Sequence, residues 1–148
     1  MDKSIKKDAG FTLVELLVVI AVIGLLVTIV IVSLQGAKSR ARDAERMTNV
    51  NNIITALALY NTIYNEYPIY DSLTITGTDP LSNDLMSALT INAVPEDPLR
   101  GQISADCGSL GAYIYLYDSD DGSTFTLEYC LETNSVLGKS AGYNYVIP

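Results

Sequence analysis

The chain has 148 residues, of which 49% are hydrophobic, with a formal net charge of −8 and no histidine. The missing histidine excludes histidine general acid–base catalysis, Ser–His and Cys–His nucleophile pairs, and histidine-ligated zinc. Beyond Tyr60 there are twelve Asp and Glu residues against only Arg100 and Lys139, so the distal part lacks the basic face that nucleic-acid binding needs.

Residues 1–10, MDKSIKKDAG, are short and polar. Residues 11–34, FTLVELLVVIAVIGLLVTIVIVSL, carry one charge, Glu15. As a helix this run rises about 36 Å, enough to cross a hydrocarbon core of roughly 30 Å. A secretory signal has an apolar stretch of only about 7–15 residues and a small-residue cleavage site after it. Here the run is longer and no A-x-A motif ends it. A carboxylate inside it costs about 2–3 kcal/mol if unpaired, less near the interface. Glu15 therefore either has a partner in another chain, pairs within its own chain, or snorkels to the interface.

The helical pattern continues through residues 35–67, which contain no proline. Met47, Val50, Ile54, Leu57, Tyr60, Tyr64 and Tyr67 recur at three- and four-residue steps, an amphipathic stripe half-buried against a head. Pro68 predicts a stop near Glu66. Lys38, Arg40, Arg42 and Arg46 alternate with Asp43 and Glu45. They read either as a solvated face with local ion pairs or as a basic neck that meets acidic heads of adjacent subunits.

Residues 68–148 form a small head. YDSLTITGTD is a loop or short strand. Asp79 caps a short helix with Pro80 in its first turn and Leu81, Leu85 and Leu89 on one face. VPEDPLRG is a rigid turn. In AYIYLY, Tyr113, Tyr115 and Tyr117 face one way; in TFTLEYCLE, Phe125, Leu127, Tyr129 and Leu131 share a face. The Asp-Gly of DSDDGS between them signals a hairpin, and GYNYVI adds a third strand. The fold class is α+β, a long N-terminal helix packed on a small antiparallel sheet. Cys107 and Cys130 read as one disulfide on the far side of a membrane, worth about 3 kcal/mol in the chain-entropy model. The alternative is two buried free thiols.

GFTLVELLVVIAVIGLL resembles the N-terminus of the type IV pilin and pseudopilin family. Gly10 matches the family's cleavage-site glycine, Phe11 its mature first residue and Glu15 its glutamate. The resemblance implies removal of residues 1–10 by a prepilin peptidase and N-methylation of Phe11. It also implies that Glu15 neutralises the N-terminal amine of a neighbour in the filament. ARDAER, ITALALYNTIYNEYP, PEDP and YIYLY resemble the major pseudopilins of type II secretion systems more than many-looped adhesive pilins. One departure from the family is the absence of a proline in the second half of the apolar run; Gly24 and Gly36 are helix-weakening positions without being breaks. The resemblance also raises calcium in the head, with Asp118, Asp120 and Asp121 as oxygen donors. Against the EF-hand pattern Gly122 sits one place early and the twelfth position is Tyr129, and the other reading is an acidic hairpin turn.

The expected protein is thus a single-pass membrane precursor with a cytoplasmic N-terminus, which becomes a subunit of an extracytoplasmic helical filament. Its partners are the prepilin peptidase, an inner-membrane assembly platform and copies of itself, and no cofactor is required. No catalytic residue is assigned. The rival is a single-pass anchored receptor or binding protein that does not polymerise.

Overall fold

The computed structural model describes residues 11–148. It divides into two units, Met1–Ala37 and Lys38–Pro148. Helix α1, Leu13–Tyr64, begins in the first and ends in the second. Helical structure continues through both Gly24 and Gly36, without a break at either.

In the first unit the large apolar side chains of α1 are exposed, among them Leu16, Ile20, Ile23, Leu26 and Ile31. The helix is long and apolar enough to cross a membrane. Among the described residues nothing in this unit covers so much apolar surface, so its natural surroundings are lipid or other apolar helices.

The second unit has its own core. After α1 come strand β1 (Tyr70–Ile75), helix α2 (Pro80–Ser87), a 3₁₀ segment (Ala105–Leu110), and strands β2 (Tyr115–Ser119), β3 (Thr126–Leu131) and β4 (Gly142–Val146). The strands form a four-stranded antiparallel meander in the order β1-β2-β3-β4. YDSLTI is therefore a full sheet member, and the sheet has one strand more than the hairpin and GYNYVI imply. Sequence-adjacent strands pair throughout, which keeps every connection short in space.

Alternation sets the packing. Tyr115, Tyr117, Phe125, Leu127, Tyr129 and Leu131 are all buried in one cluster with Val50, Ile53, Ala56 and Leu57 of α1. The tyrosine side chains run along the helix: Asn49 donates to the Tyr115 hydroxyl at 3.3 Å, and the Tyr117 hydroxyl donates to the Pro68 carbonyl at 2.7 Å. These partners explain tyrosine rather than phenylalanine at positions 115 and 117; the buried Tyr129 hydroxyl has no such partner among the described residues. Strand β2 starts at Tyr115 rather than Ala112, because Ala112 is held instead in an isolated bridge to Ile103.

Two features of the predicted stripe are corrected. Its centre is Val50, Ile53, Ala56 and Leu57; Ile54 packs at the flank and Tyr64 is exposed. The small Ala56 is buried in this core, which a count of large residues misses. On α2, Asp79 is the cap and accepts from the Ser82 amide at 2.9 Å, with Pro80 behind it. Leu81 and Leu85 are buried, but Leu89 is 90% exposed. The helix ends at Ser87, and Leu89 has φ 56°, which turns it off the helical face.

Cys107 and Cys130 form a disulfide, S–S 2.05 Å, between the 3₁₀ segment and β3. Beside it β4 begins at Gly142, whose φ is +92° and where an added Cβ would lie 2.6 Å from the Asp106 carbonyl oxygen. Backbone of the 3₁₀ segment and backbone of β4 thus meet where only glycine fits. Gly142→Ala is expected to cost about 2 kcal/mol or more. Thermal unfolding of the detergent-solubilised chain measures this, with Gly138→Ala, which meets open space, as the milder reference.

Candidate functional site

Two groups of charged residues stand out, one in each unit. The first is at the start of α1. Thr12 precedes the helix and Glu15 is its third residue. The Thr12 amide donates to Glu15 Oε2 at 2.9 Å, and the Thr12 hydroxyl donates to the same oxygen at 2.7 Å. In return the Glu15 amide donates to Thr12 Oγ1 at 3.2 Å. This is a capping box, in which donors that α-helix geometry leaves unpaired are satisfied reciprocally. The T-x-x-E spacing of TLVE carries that signal in the sequence; Thr12 was the residue left unassigned. Phe11 is 82% exposed next to it. Gly10, the expected cleavage position, lies outside the described residues.

The second group is in the head and was not expected. Arg46 is fully buried, the bulkiest side chain to be so. Its Nε and Nη2 donate to the two oxygens of Asp97, at 2.8 and 3.1 Å. Its Nη1 donates to Asp43 at 2.9 Å and to Glu132 at 2.7 Å. The Tyr113 ring lies across its guanidinium, 4.6 Å from Cζ to the centroid. Arg42, on the same side of α1, donates through Nε to Glu132 at 2.7 Å and makes a second bond to it through Nη2.

The carboxylates are held as well as the cation. Asp43 accepts the backbone amides of Glu132 and Thr133 at 2.9 and 2.8 Å, and Asp97 accepts that of Leu99 at 2.8 Å. Three carboxylates thus surround two guanidiniums, from three places in the chain: α1, the PEDP turn and the end of β3. The local pairing of the first reading holds for Asp43 and Arg46, but Arg46 is buried and not solvated, and both it and the partly exposed Arg42 meet acids of their own head. Lys38 and Arg40 remain exposed. Spacing within the helix suggests Asp43–Arg46 as an i,i+3 pair, but 51 and 86 residues separate Arg46 from Asp97 and Glu132, and no local pattern reports such a meeting.

Burial opposes the charge on Glu132, but hydrogen bonds from Arg42 and then Arg46 outweigh it and hold this carboxyl down to about 2. Burial likewise opposes the charge on Arg46, and Asp97 and Glu132 more than restore it, raising the group above its ordinary value. The cluster offers no nucleophile beside a base. Its chemistry is that of a fixed joint.

The acidic hairpin divides its carboxylates. Asp118 accepts the Ser72 amide at 2.9 Å, at the point where the β1–β2 register shifts and Ser72 has φ 47°. Asp121 accepts the Ser123 amide and hydroxyl at 2.9 and 2.7 Å, and Asp120 is exposed. Among the described residues no group of three His, Cys, Asp or Glu side chains is placed to hold a metal ion.

Comparison with known proteins adds the following. Residues 5–31 match the family described as prokaryotic N-terminal methylation motif. Over 131 residues the chain is 29% identical to type II secretion system core protein G of Vibrio cholerae, covering 84% of this chain and 83% of that protein. Over 126 residues it is 31% identical to the core protein G of Escherichia coli, covering 81% and 87%. A third relative, core protein G of Aeromonas hydrophila, is 30% identical over 102 residues, covering 63% and 68%. No solved structure matches the chain.

The arginine cluster makes two expectations. Arg46→Ala leaves Asp43 and Asp97 buried without their cation and should destabilise the head by about 3–5 kcal/mol. Arg42→Ala, at a partly exposed position, should cost about 1 kcal/mol. Denaturant unfolding of the full chain in detergent checks the order, and a reversed order would refute the cluster. The pH dependence follows from Glu132. Its folded value lies below its ordinary 4.5, so its contribution is complete above pH 4.5 and is lost as pH falls towards 2. A midpoint of unfolding that shows no loss across that window would contradict the pairing.

Proposed function

The chain belongs to the family of type II secretion system core protein G, the major pseudopilins, and on that premise we propose how it works as a structural subunit of a secretion pseudopilus. The observation that carries the proposal is the conjunction at the start of α1: a capped glutamate opens a helix whose apolar surface is exposed on every side. Such a helix can rest in a bilayer as a precursor and then exchange lipid for the helices of other copies.

In this reading a prepilin peptidase cuts after Gly10, and the Phe11 nitrogen becomes a terminal amine that is then methylated. The N-terminus lies on the cytoplasmic side and the head outside the inner membrane. An assembly platform in that membrane passes subunits into a filament in which apolar helices form the core and acidic heads the surface. The protein catalyses nothing; its work is assembly. Glu15 is set for a neighbour's amine by its own helix. The capping box fixes the carboxylate at the helix entrance, one residue from the atom that becomes the amine. With little competing water the attraction between the two charges is stronger than at a surface, while desolvation opposes it. The pairing therefore contributes register more than net stability.

Two measurements test this. Mass spectrometry of assembled material is expected to show an N-terminus at Phe11 carrying one methyl group, and an intact Met1 would sink the filament reading in favour of a plain anchor. Glu15→Gln separates the two tasks of the carboxylate, because glutamine also serves in a capping box but cannot neutralise an amine. The variant should insert normally and keep its head fold. Its yield of filaments should fall by at least about tenfold, equivalent to about 1.4 kcal/mol. Polymerisation at the unmodified rate would show that the charge pair is not what registers the subunits.

A further inference from the structure

The disulfide and the arginine cluster are connected by more than proximity in the head. Cys130 lies in β3 two residues before Glu132, which accepts from both Arg42 and Arg46. Cys107 lies in the 3₁₀ segment, inside the stretch of residues 97–113. That stretch supplies Asp97, which holds Arg46 through two bonds, and Tyr113, which covers its guanidinium. A small satellite core of Cys107, Cys130, Tyr113, Leu99 and Leu110 fills the space around the bridge. Leu99 in turn donates its amide to Asp97.

Arg46 is therefore gripped between two jaws. One is residues 97–113, the other the end of β3, and the sulfur–sulfur bond is the covalent tie between them. The geometry points to a redox-dependent joint: oxidation of Cys107 and Cys130 closes the jaws on Arg46 and locks α1 onto the head. Formation of the bridge removes two electrons and two protons from the two thiols, and the acceptor is a disulfide-bearing oxidant that becomes a dithiol. With the thiols reduced, the tie is gone and the two jaws are held by non-covalent contacts alone. A buried guanidinium tolerates no loss of partners, so water enters as soon as one jaw moves. The reduced head keeps its sheet, because the β1–β2 ladder and the main core use neither cysteine nor arginine. The joint is a property of the head alone and holds whether or not the chain polymerises, so it can fail while the filament reading stands.

The test is hydrogen exchange on the full chain in detergent micelles, comparing the oxidised protein with Cys107→Ser/Cys130→Ser. The reporting amides are those of Leu99, Glu132 and Thr133, which donate to Asp97 and Asp43. Their protection should fall at least tenfold in the variant, while amides of the β1–β2 ladder around Leu73 and Tyr117 change less than threefold. Arg46→Met supplies the second arm, since it removes what the jaws grip. In that background the serine pair should shift the melting temperature by less than half of its shift in the unmodified chain. Unchanged protection at the three amides would overturn the proposal. So would a uniform loss across the head, including outright failure of the serine variant to fold, because the bridge would then hold the whole head and not the joint. Additive melting shifts in the two backgrounds would overturn it as well.

Discussion

A guanidinium taken completely out of water constrains everything near it. Its desolvation costs several kcal/mol, and only well-placed carboxylates and their supporting amides offset that cost. Arg46 draws its partners from three separate segments, so these must arrive in one register before the cluster closes. A one-residue shift of α1 would bring Met47 or Glu45 to Asp97 in place of Arg46 and leave that carboxylate without its cation. The apolar face of Val50, Ile53, Ala56 and Leu57 packs through contacts that have no preferred direction, whereas the bonds of the ion cluster are directional. Nonpolar packing supplies the larger share of the head's stability, and the cluster selects among its alternatives.

The chain uses charge in two opposite ways. At Arg46 three carboxylates and two guanidiniums of one chain pair with one another, mostly away from solvent. At Glu15 the carboxylate is exposed at the opening of an apolar helix, held by Thr12 and available to a cation supplied from outside. The first arrangement needs no partner; the second, in the filament reading proposed above, waits for one. Both rest on the same physics, since ion pairing is strong where competing water is scarce.

The head also shows how a small domain supports a limited core. Its strands are five or six residues long, and its acids are spent on local backbone geometry: Asp79 on a helix cap, Asp118 on the bulge of β1, Asp121 on its own turn. A strongly acidic composition is thus compatible with tight structure, because many of the carboxylates accept backbone amides. The disulfide adds a link inside the smaller of the two core clusters.

What the sequence by itself determined is whatever depends on period and proximity along the chain. The apolar run, the helix that continues to Tyr64, the cap at Asp79, the alternation of YIYLY and TFTLEYCL, and the residues around Glu15 all follow from spacings of two to four residues. So does the resemblance that links Gly10, Phe11 and Glu15 to the pilin-like families. Tertiary structure alone decided which strand completes the sheet, that Leu89 turns away from α2, and that Ala56 rather than a larger residue lies at the centre of the helix face. Above all it decided the fate of Arg42 and Arg46. Within the helix they look like any alternating charged segment, and their burial depends on Asp97 and Glu132, dozens of residues away. The free energy of a buried ion cluster resides in three-dimensional convergence, and no window along the chain contains it.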